Sequence, residues 1–435
     1  MKKLFKIILT LTLALIMVFS AACNANRDPD TGGEYLDPSY DGYISEGYTK
    51  GDLGGDIENP IPIQSGQITC GALNDAKNYE KWLALFKAPA EDSEEGQENG
   101  GAFYSYLQSG WSYNTLNMVK ITVTNDGKAV PYAQVAASLG NSSTVTYGAL
   151  SDANGVAVLF LSAEEEYTVT ASKEGKTQSV TLEKGEKQKE IELAASTELS
   201  NAIDLMFVID TTGSMGDELR YLQSEIEDVV NTIKQNHPQA DIKIALLFYR
   251  DNGDDYVARC FNFESNINKV NNNLKAQKAN GGGDYEEAVD LALYLAAVGG
   301  NYTDGSSKKS ITFDWREDST KILIHLLDAP PHDGETFEQK YFAAINALRD
   351  KGIRIITVAS SGVNGKCEYL CRTASLITQG RYVFLTNHSG IGGDHKEPEA
   401  EDYVVEYLNK CLVRLIEELH TGVETEPAPI NQKEN

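Results

Sequence analysis

The sequence predicts an α/β protein with a doubly wound, mostly parallel six-stranded sheet, preceded by a small all-β sandwich. From about residue 196 onward, short apolar runs alternate with segments whose apolar residues recur every three or four positions. This pattern is typical of strands that alternate with helices. Between residues 102 and 193, single apolar residues alternate with polar ones and turn sequences separate the runs, which predicts short strands of a sandwich.

The composition excludes some partners and favours none. A net charge of −26 over 435 residues argues against binding nucleic acid, or an anionic membrane surface, through bulk electrostatics. Six cysteines are too few for a disulfide scaffold in a chain of this length.

The first residues have the layout of a secretory signal. Three lysines precede the apolar run 7–19, and the small residues Ser20, Ala21 and Ala22 lead into Cys23. This arrangement resembles the lipobox of bacterial lipoproteins, which implies that residues 1–22 are removed and that Cys23 carries lipid. The expected location is extracytoplasmic, with a lipid anchor as the only contact with the bacterial cell membrane. Because Ser20 stands where the lipobox usually has Leu, cleavage by the general signal peptidase is the alternative.

Residues 23–101 are predicted to be a tether followed by a short N-terminal segment, because residues 24–60 are rich in Gly, Tyr and Asp and poor in aliphatic clusters. An amphipathic helical patch surrounds Trp82. Residues 102–195 form the predicted sandwich, and the strings NDGKAVPYAQV, SDANGVAVLFL and YTVTASKEG resemble a carboxypeptidase regulatory-like, transthyretin-like domain. Its acidic residues lie in turns, so the sandwich is expected to be a spacer or docking module.

Residues 199–421 are predicted to form the α/β domain, and residues 422–435 a disordered tail. The predicted strands are residues 203–210, 242–248, 257–263, 322–328, 353–359 and 382–385. The first predicted helix begins near residue 216. Further helices are predicted over residues 285–298, 337–350 and 368–378, and a closing helix lies between residues 403 and 419.

Polar residues follow two of the buried strands. Asp210 ends the first strand, and Thr212 and Ser214 come next at alternating positions. Asp328 ends the strand that begins at residue 322, and Asp284 follows three glycines. Because parallel strands end at one edge of a sheet, these oxygens can converge there. Hard oxygen ligands predict Mg²⁺, or Mn²⁺ or Ca²⁺, in preference to zinc.

The three loops resemble those of a von Willebrand factor A domain, in which Asp-x-Ser-x-Ser begins a metal-ion-dependent adhesion site. Thr212 replaces the first Ser of that motif, Asp328 matches the third loop, and Asp284 stands where the second loop normally has Thr. The strings GGGD and DAPPH are similar to those of a bacterial branch of the family. The resemblance implies a non-enzymatic module that binds a protein or another extracellular macromolecule, with an acidic group of the partner completing the metal shell. Direct coordination by Asp284 is left open, since a third negative charge would weaken binding of an acidic partner.

Two alternatives compete with adhesion. The first is a hydrolase or processing factor that uses the same metal, with a general base poised over the site. A related possibility is a nucleophile elbow with Ser214 as nucleophile and His332 or His325 as base, although Thr212 occupies the first glycine position of that motif. The second is a structural envelope component whose metal only stabilises the fold. Apart from these functions, the loop 387–398 carries zinc-type ligands, and an ordinary loop is favoured there over a zinc site. The candidate zinc ligands are His388, Asp394, His395 and Glu397.

Overall fold

The computed structural model describes residues 63–89, 100–216, 218–400 and 402–430. The predicted signal, the lipidation site Cys23 and most of the tether lie outside these residues. Within the described part of the chain, no helix is both long and apolar enough to cross a membrane.

Three elements precede the strands of the all-β region: strand β1 (Thr69–Leu73), helix α1 (Tyr79–Ala84) and a 3-10 helix (Tyr104–Gln108). Eight short strands follow in the all-β region. They are β2 (Met118–Asn125), β3 (Lys128–Ala129), β4 (Gln134–Leu139), β5 (Val145–Leu150), β6 (Val156–Phe160), β7 (Tyr167–Lys173), β8 (Lys176–Leu182) and β9 (Gln188–Glu192). One sheet has the order β3-β2-β6 with β9 also paired to β2, and the other has the order β5-β4-β7-β8. An all-β region at this position is therefore confirmed.

Strands and helices alternate through the rest of the chain. The strands are β10 (Ala202–Asp210), β11 (Asp241–Tyr249), β12 (Ala258–Glu264), β13 (Gly300–Asp304), β14 (Ser307–Ile311), β15 (Thr320–Leu327), β16 (Ile353–Ala359), β17 (Arg381–Leu385) and β18 (Glu406–Tyr407). The helices are α2 (Leu219–Asn236), α3 (Ile267–Lys275), α4 (Val289–Ala297), α5 (Glu335–Asp350), α6 (Gly365–Ile377) and α7 (Leu408–Thr421).

The main sheet confirms the predicted fold class. Its order is β12-β11-β10-β15-β16-β17-β1-β18, and the pairings among β11, β10, β15, β16 and β17 are parallel. All six predicted strands are present. Strand β1 extends the sheet antiparallel to β17, and β18 pairs antiparallel with β1. The hairpin of β13 and β14 was not predicted, and helix α4 begins at Val289, four residues later than predicted.

Helices cover both faces of this sheet, and strand β10 shows why its sequence is apolar at almost every position. Leu205 and Phe207 pack in the layer that holds α2 and α7. Met206 and Val208 pack in the opposite layer, which holds α4 and α5. A strand that is buried on both faces needs apolar side chains without alternation.

The all-β region and the α/β region share one hydrophobic core, which contains residues of both sheets of the former and of α4, α5 and α6. At the contact, Arg349 Nε donates to the backbone oxygen of Gly148 at 2.7 Å, and its guanidinium lies 3.8 Å from the centre of the Tyr147 ring. The domain boundaries 102–195 and 199–421 stay predictions, and a buried contact joins the two regions they define.

Candidate metal centre

Three loops meet at the carboxyl edge of the main sheet. Strands β10 and β15 are neighbours in parallel register, with Ile209 beside Leu326, so Asp210 and Asp328 leave the sheet at the same edge. Both side chains are buried. The topology therefore places the two strand-ending carboxylates next to the first loop, as the parallel arrangement requires.

The first loop holds its oxygens in a tight local network. Asp210 Oδ1 accepts hydrogen bonds from the backbone nitrogen of Thr212 at 2.9 Å and from its hydroxyl at 2.7 Å. The hydroxyl oxygens of Thr212 and Ser214 lie 3.1 Å apart. Asp210 and Thr212 are fully buried, whereas Ser214 is exposed. The structure thus brings these three predicted ligands together, with Ser214 on the outer side.

The glycine loop packs directly against the first loop. Gly213 N donates to Gly281 O at 3.0 Å, and Asn280 N donates to Thr211 O at 3.1 Å. Gly281 and Gly282 both have positive φ, and a Cβ on Gly281 would lie 2.4 Å from Asp254 Oδ1. Glycine is required here because the left-handed backbone and the close carboxylate leave no room for a side chain.

A cavity of about 400 Å³ opens between these loops. Ser214, Asp284, Glu287 and Asp328 line it, and Gly393 and Asp394 contribute to its wall. The four oxygen-bearing side chains are the hard ligands that Mg²⁺, Mn²⁺ and Ca²⁺ take in proteins. The cavity therefore joins predicted ligands from all three loops.

Glu287 is a candidate ligand that the sequence analysis missed. Its side chain is 2% exposed, and Oε2 has no hydrogen-bond partner among the described residues. Burial and then the charge of Asp210 raise the pKa of Glu287 to about 10, with Asp251 and Asp328 adding to the effect. The sequence does indicate further ligands here, because two more acidic residues follow Asp284 closely. They were not considered as ligands because a helix was predicted to begin at residue 285.

The charges at this edge do not cancel. Burial, followed by the charge of Asp328, raises the pKa of Asp210, although its hydrogen bonds with Thr212 and Tyr249 act in the opposite direction. Asp210 Oδ2 has no hydrogen-bond partner of ordinary geometry in the described ranges. A nearby cation stabilises the ionised form of buried carboxylic acids that have no other neutralising partner. The donor set and the orphaned oxygens of Asp210 and Glu287 thus fit a divalent metal ion.

Asp284 has neighbours other than the predicted ones. It is exposed, and its carboxylate lies within 4.8 Å of ligand atoms of Asp251 and His332. In the part of the chain that the structure describes, no other group of three or more acidic, histidine or cysteine side chains meets that spacing. The carboxylates of Asp210, Glu287 and Asp328 do not meet it, so a cation between them would need the hydroxyls of the first loop and water as well.

The histidines considered as bases have other partners. His325 Nε2 lies 3.1 Å from the Tyr249 hydroxyl, and burial lowers the pKa of His325 to about 3. His332 Nε2 lies 2.7 Å from Asp251 Oδ1. Neither imidazole is paired with Ser214, whose hydroxyl lies against Thr212. The structure therefore offers no support for Ser214 as an activated nucleophile.

The loop 387–398 is held by its own hydrogen bonds. His395 Nε2 lies 3.0 Å from Glu218 Oε1, and its Nδ1 lies 2.9 Å from Asn387 Oδ1. His388 is exposed, and the Glu397 carboxylate accepts a hydrogen bond from Tyr403. The four candidate zinc ligands do not converge in the described part of the chain. An ordinary loop is therefore favoured over a zinc site.

Sequence comparison assigns the class of the α/β region. Residues 204–308 match the von Willebrand factor A domain family. Together with the fold and the three loops, this match shows that the chain contains a von Willebrand factor A domain.

Two curated proteins resemble parts of the chain. An alpha-protein kinase, vwkA, of Dictyostelium discoideum is 29% identical over 196 residues, which are 43% of this chain and 28% of the kinase. A putative ariadne-like RING finger protein of Acanthamoeba polyphaga mimivirus is 28% identical over 146 residues, which are 34% of this chain and 13% of that protein. The chain therefore spans less than a third of the length of either relative.

Among solved structures, the chain is similar to an aerotolerance-related membrane protein from Bacteroides fragilis. It is 14% identical, with a TM-score of 0.26, and the match covers 52% of this chain and 92% of the other. A likeness at this level adds nothing to the assignment.

Proposed function

We propose that this chain is a cell-surface lipoprotein that binds a protein partner through a divalent cation at the edge of its von Willebrand factor A domain. Asp210, Thr212, Ser214 and Asp328 would hold the cation, with Glu287 beside them. Mg²⁺ is the favoured ion, and Mn²⁺ or Ca²⁺ could replace it, because the donors are hard oxygens. The bound cation supplies a positive centre that accepts a carboxylate of the partner.

The observation that carries this proposal is the open cavity over the first loop. Asp328 and the exposed Ser214 line it, whereas Asp210 and Thr212 are fully buried in the same loop as Ser214. A cation placed there would be held from below by the protein and would face solvent on the other side. A partner can reach such an ion without any movement of the core.

A non-enzymatic role is part of the proposal. The buried imidazole of His325 has its pKa lowered to about 3, so it is a weak base at neutral pH. His332 pairs with Asp251. A hydrolase with Ser214 as nucleophile would need a histidine base beside that hydroxyl, and neither histidine is paired with it.

The proposed location rests on the N-terminal sequence. Lipid on Cys23 would anchor the chain, and the residues after it would separate the folded region from the membrane. Expression in a bacterial host followed by detergent phase separation tests this. The wild-type protein should enter the detergent phase, and Cys23→Ala should remain in the aqueous phase. Equal partitioning of the two proteins would refute the anchor.

Calorimetry on the chelator-treated protein tests the metal site. Wild type should bind Mg²⁺, and Asp210→Asn should lose this binding because it removes a charge while keeping the side-chain shape. Thr212→Ser is the matched control, since the hydroxyl survives, and its affinity should be nearly unchanged. Unaltered Mg²⁺ affinity in Asp210→Asn would show that the cation does not bind at this loop.

Adhesion is tested with the same three proteins. Surface extracts of the source cells, or immobilised extracellular proteins, should retain wild type and Thr212→Ser in Mg²⁺ but not in chelator. Asp210→Asn should not be retained in either condition. Retention of all three proteins in chelator would contradict a metal-dependent adhesion site.

A further inference from the structure

A second group of metal-ligand side chains lies beside the cavity. Asp251 follows β11, Asp284 belongs to the glycine loop, and His332 follows β15. One ligand atom from each lies within 4.8 Å of the other two. Three loops that are far apart in sequence thus bring two carboxylates and an imidazole to one point.

The surrounding backbone fixes this arrangement. Asp251 N donates to Asp254 Oδ2 at 3.1 Å, and both oxygens of Asp254 accept from Gly282 N. The loop after β11 is therefore tied to the glycine loop that carries Asp284. His332 is connected to the same loop through its contact of 2.7 Å with Asp251. Ligands that are held by hydrogen bonds in this way need little rearrangement to accept an ion.

Besides the spacing of the three ligands, the unpaired carboxylate oxygen of Glu287, which also borders the first site, lies next to this group. Glu287 is 2% exposed, its Oε2 has no partner in the described part of the chain, and it lines the same cavity as Asp284. The nearby cation Arg250 is already engaged, since it donates to the backbone oxygens of Thr211 and Lys278. The described part of the chain therefore offers no arginine or lysine partner for Glu287 Oε2.

We propose that Asp251, Asp284 and His332 form a second divalent-cation site, distinct from the site at Asp210. Its ligand set is two carboxylates and one imidazole, which suits Mn²⁺ or Zn²⁺ better than Mg²⁺. Three protein ligands leave at least one position for water or a partner group. Glu287, which lines the cavity together with Asp284 and Asp328, is placed to contact either ion.

Binding at this site replaces a hydrogen bond. The 2.7 Å contact between His332 Nε2 and Asp251 Oδ1 must break when both atoms become ligands of one ion, and a neutral imidazole then carries its hydrogen on Nδ1. The second site also accounts for Asp284 at a position where the family pattern has Thr. With its charge committed to the second ion, Asp284 adds no negative charge to the first, which stays receptive to an acidic partner.

The experiment counts ions on the full chain after chelation. Titration with Mn²⁺, followed by calorimetry and by electron paramagnetic resonance, should give two bound ions in wild type. His332→Asn should lose one, with a loss of affinity greater than about 100-fold, because a direct ligand matters more than the outer-shell groups that typically cost about 10–100-fold. His388→Asn is the matched control, since it removes an exposed histidine from another loop.

Two further variants separate this proposal from the first site. Asp210→Asn should lose Mg²⁺ binding and keep one Mn²⁺ or Zn²⁺ ion, whereas Asp284→Asn should keep Mg²⁺ binding and lose one of the two Mn²⁺ ions. Asp284 is exposed, so its variant tests the site even if His332→Asn fails to fold. The proposal is overturned if His332→Asn, once shown to be folded, or Asp284→Asn binds Zn²⁺ and Mn²⁺ as wild type does. It is also overturned if Asp210→Asn loses every ion, because a single site would then explain all binding.

Discussion

Replacing Glu287 with Gln should stabilise the metal-free protein, by an amount that depends on pH. Glu287 is buried beside Asp210 and Asp251, and its pKa is raised from 4.5 to about 10. The folded protein therefore binds more protons than the unfolded chain between these values. The stability of the metal-free protein should fall as pH rises through this window, because ionisation is favoured only in the unfolded chain.

The size of the effect follows from the pKa values. At pH 7 the unfolded chain gains about 3 kcal/mol from ionising Glu287, from about 2.5 pH units at about 1.36 kcal/mol each. Glutamine cannot ionise, so Glu287→Gln removes this gain and should stabilise the folded protein by up to about 3 kcal/mol. At pH 5 the same arithmetic gives about 0.7 kcal/mol. The difference between the two pH values identifies the cause.

Urea denaturation in excess chelator, at pH 5 and pH 7, measures both free energies of unfolding. Glu183→Gln serves as the control, because Glu183 is exposed on the all-β region and its loss should change little at either pH. If Glu287→Gln destabilises the metal-free protein equally at both pH values, Glu287 acts through shape or hydrogen bonding. The electrostatic reasoning about this edge of the sheet would then be wrong.

Three further predictions concern the rest of the fold, and each is measured by chemical denaturation. Burial lowers the pKa of Lys321 to about 8, so the free energy of unfolding should rise with pH between 8 and 10.5. Lys321→Met should abolish that rise. It should also stabilise the protein by about 1 kcal/mol at pH 7, after subtraction of the two hydrogen bonds that Lys321 donates to backbone oxygens. An unchanged pH profile would refute this. Trp82 is fully buried against Phe86 and Phe103, so Trp82→Ala should cost about 3–5 kcal/mol, and a loss below about 1 kcal/mol would show that α1 is not part of the core. Asp75→Ala leaves the buried guanidinium of Arg372 without its bidentate partner and should cost about 3 kcal/mol, whereas a neutral result would mean that the Glu368 carboxylate suffices.

Much of the α/β region was predictable because its strands are buried on both faces. Such strands appear as continuous apolar runs, and the residue that ends each run is fixed at the carboxyl edge of the sheet. Asp210 and Asp328 could therefore be placed from the sequence alone, and the two hydroxyls of the first loop followed from their spacing. Strand β1 could not be predicted in this way, because its five residues pair with β17 and β18, which are more than 300 positions away. No local pattern carries that pairing.

The second loop shows why a ligand residue can be missed even when the fold is predicted correctly. The apolar pattern predicted a helix from residue 285, which would have turned Glu287 along a helix surface. In the structure, Glu287 N instead donates to Pro330 O at 3.1 Å, and Glu287 forms a parallel bridge with Pro331. Contact with the third loop therefore delays helix α4 until Val289. The delay carries Glu287 into the cavity.

The same contact links the occupancy of the metal centre to the stability of the fold. Glu287 is buried because its backbone is hydrogen-bonded to the third loop. Its carboxylate therefore cannot reach solvent while the two loops stay in contact. Without a cation, the protein must hold Glu287 and Asp210 in their protonated forms or bear the repulsion between their charges. With a cation, both can ionise in place. Metal binding should therefore stabilise the loops more strongly as pH rises, since ligands that are protonated at low pH must release their protons before the ion can bind.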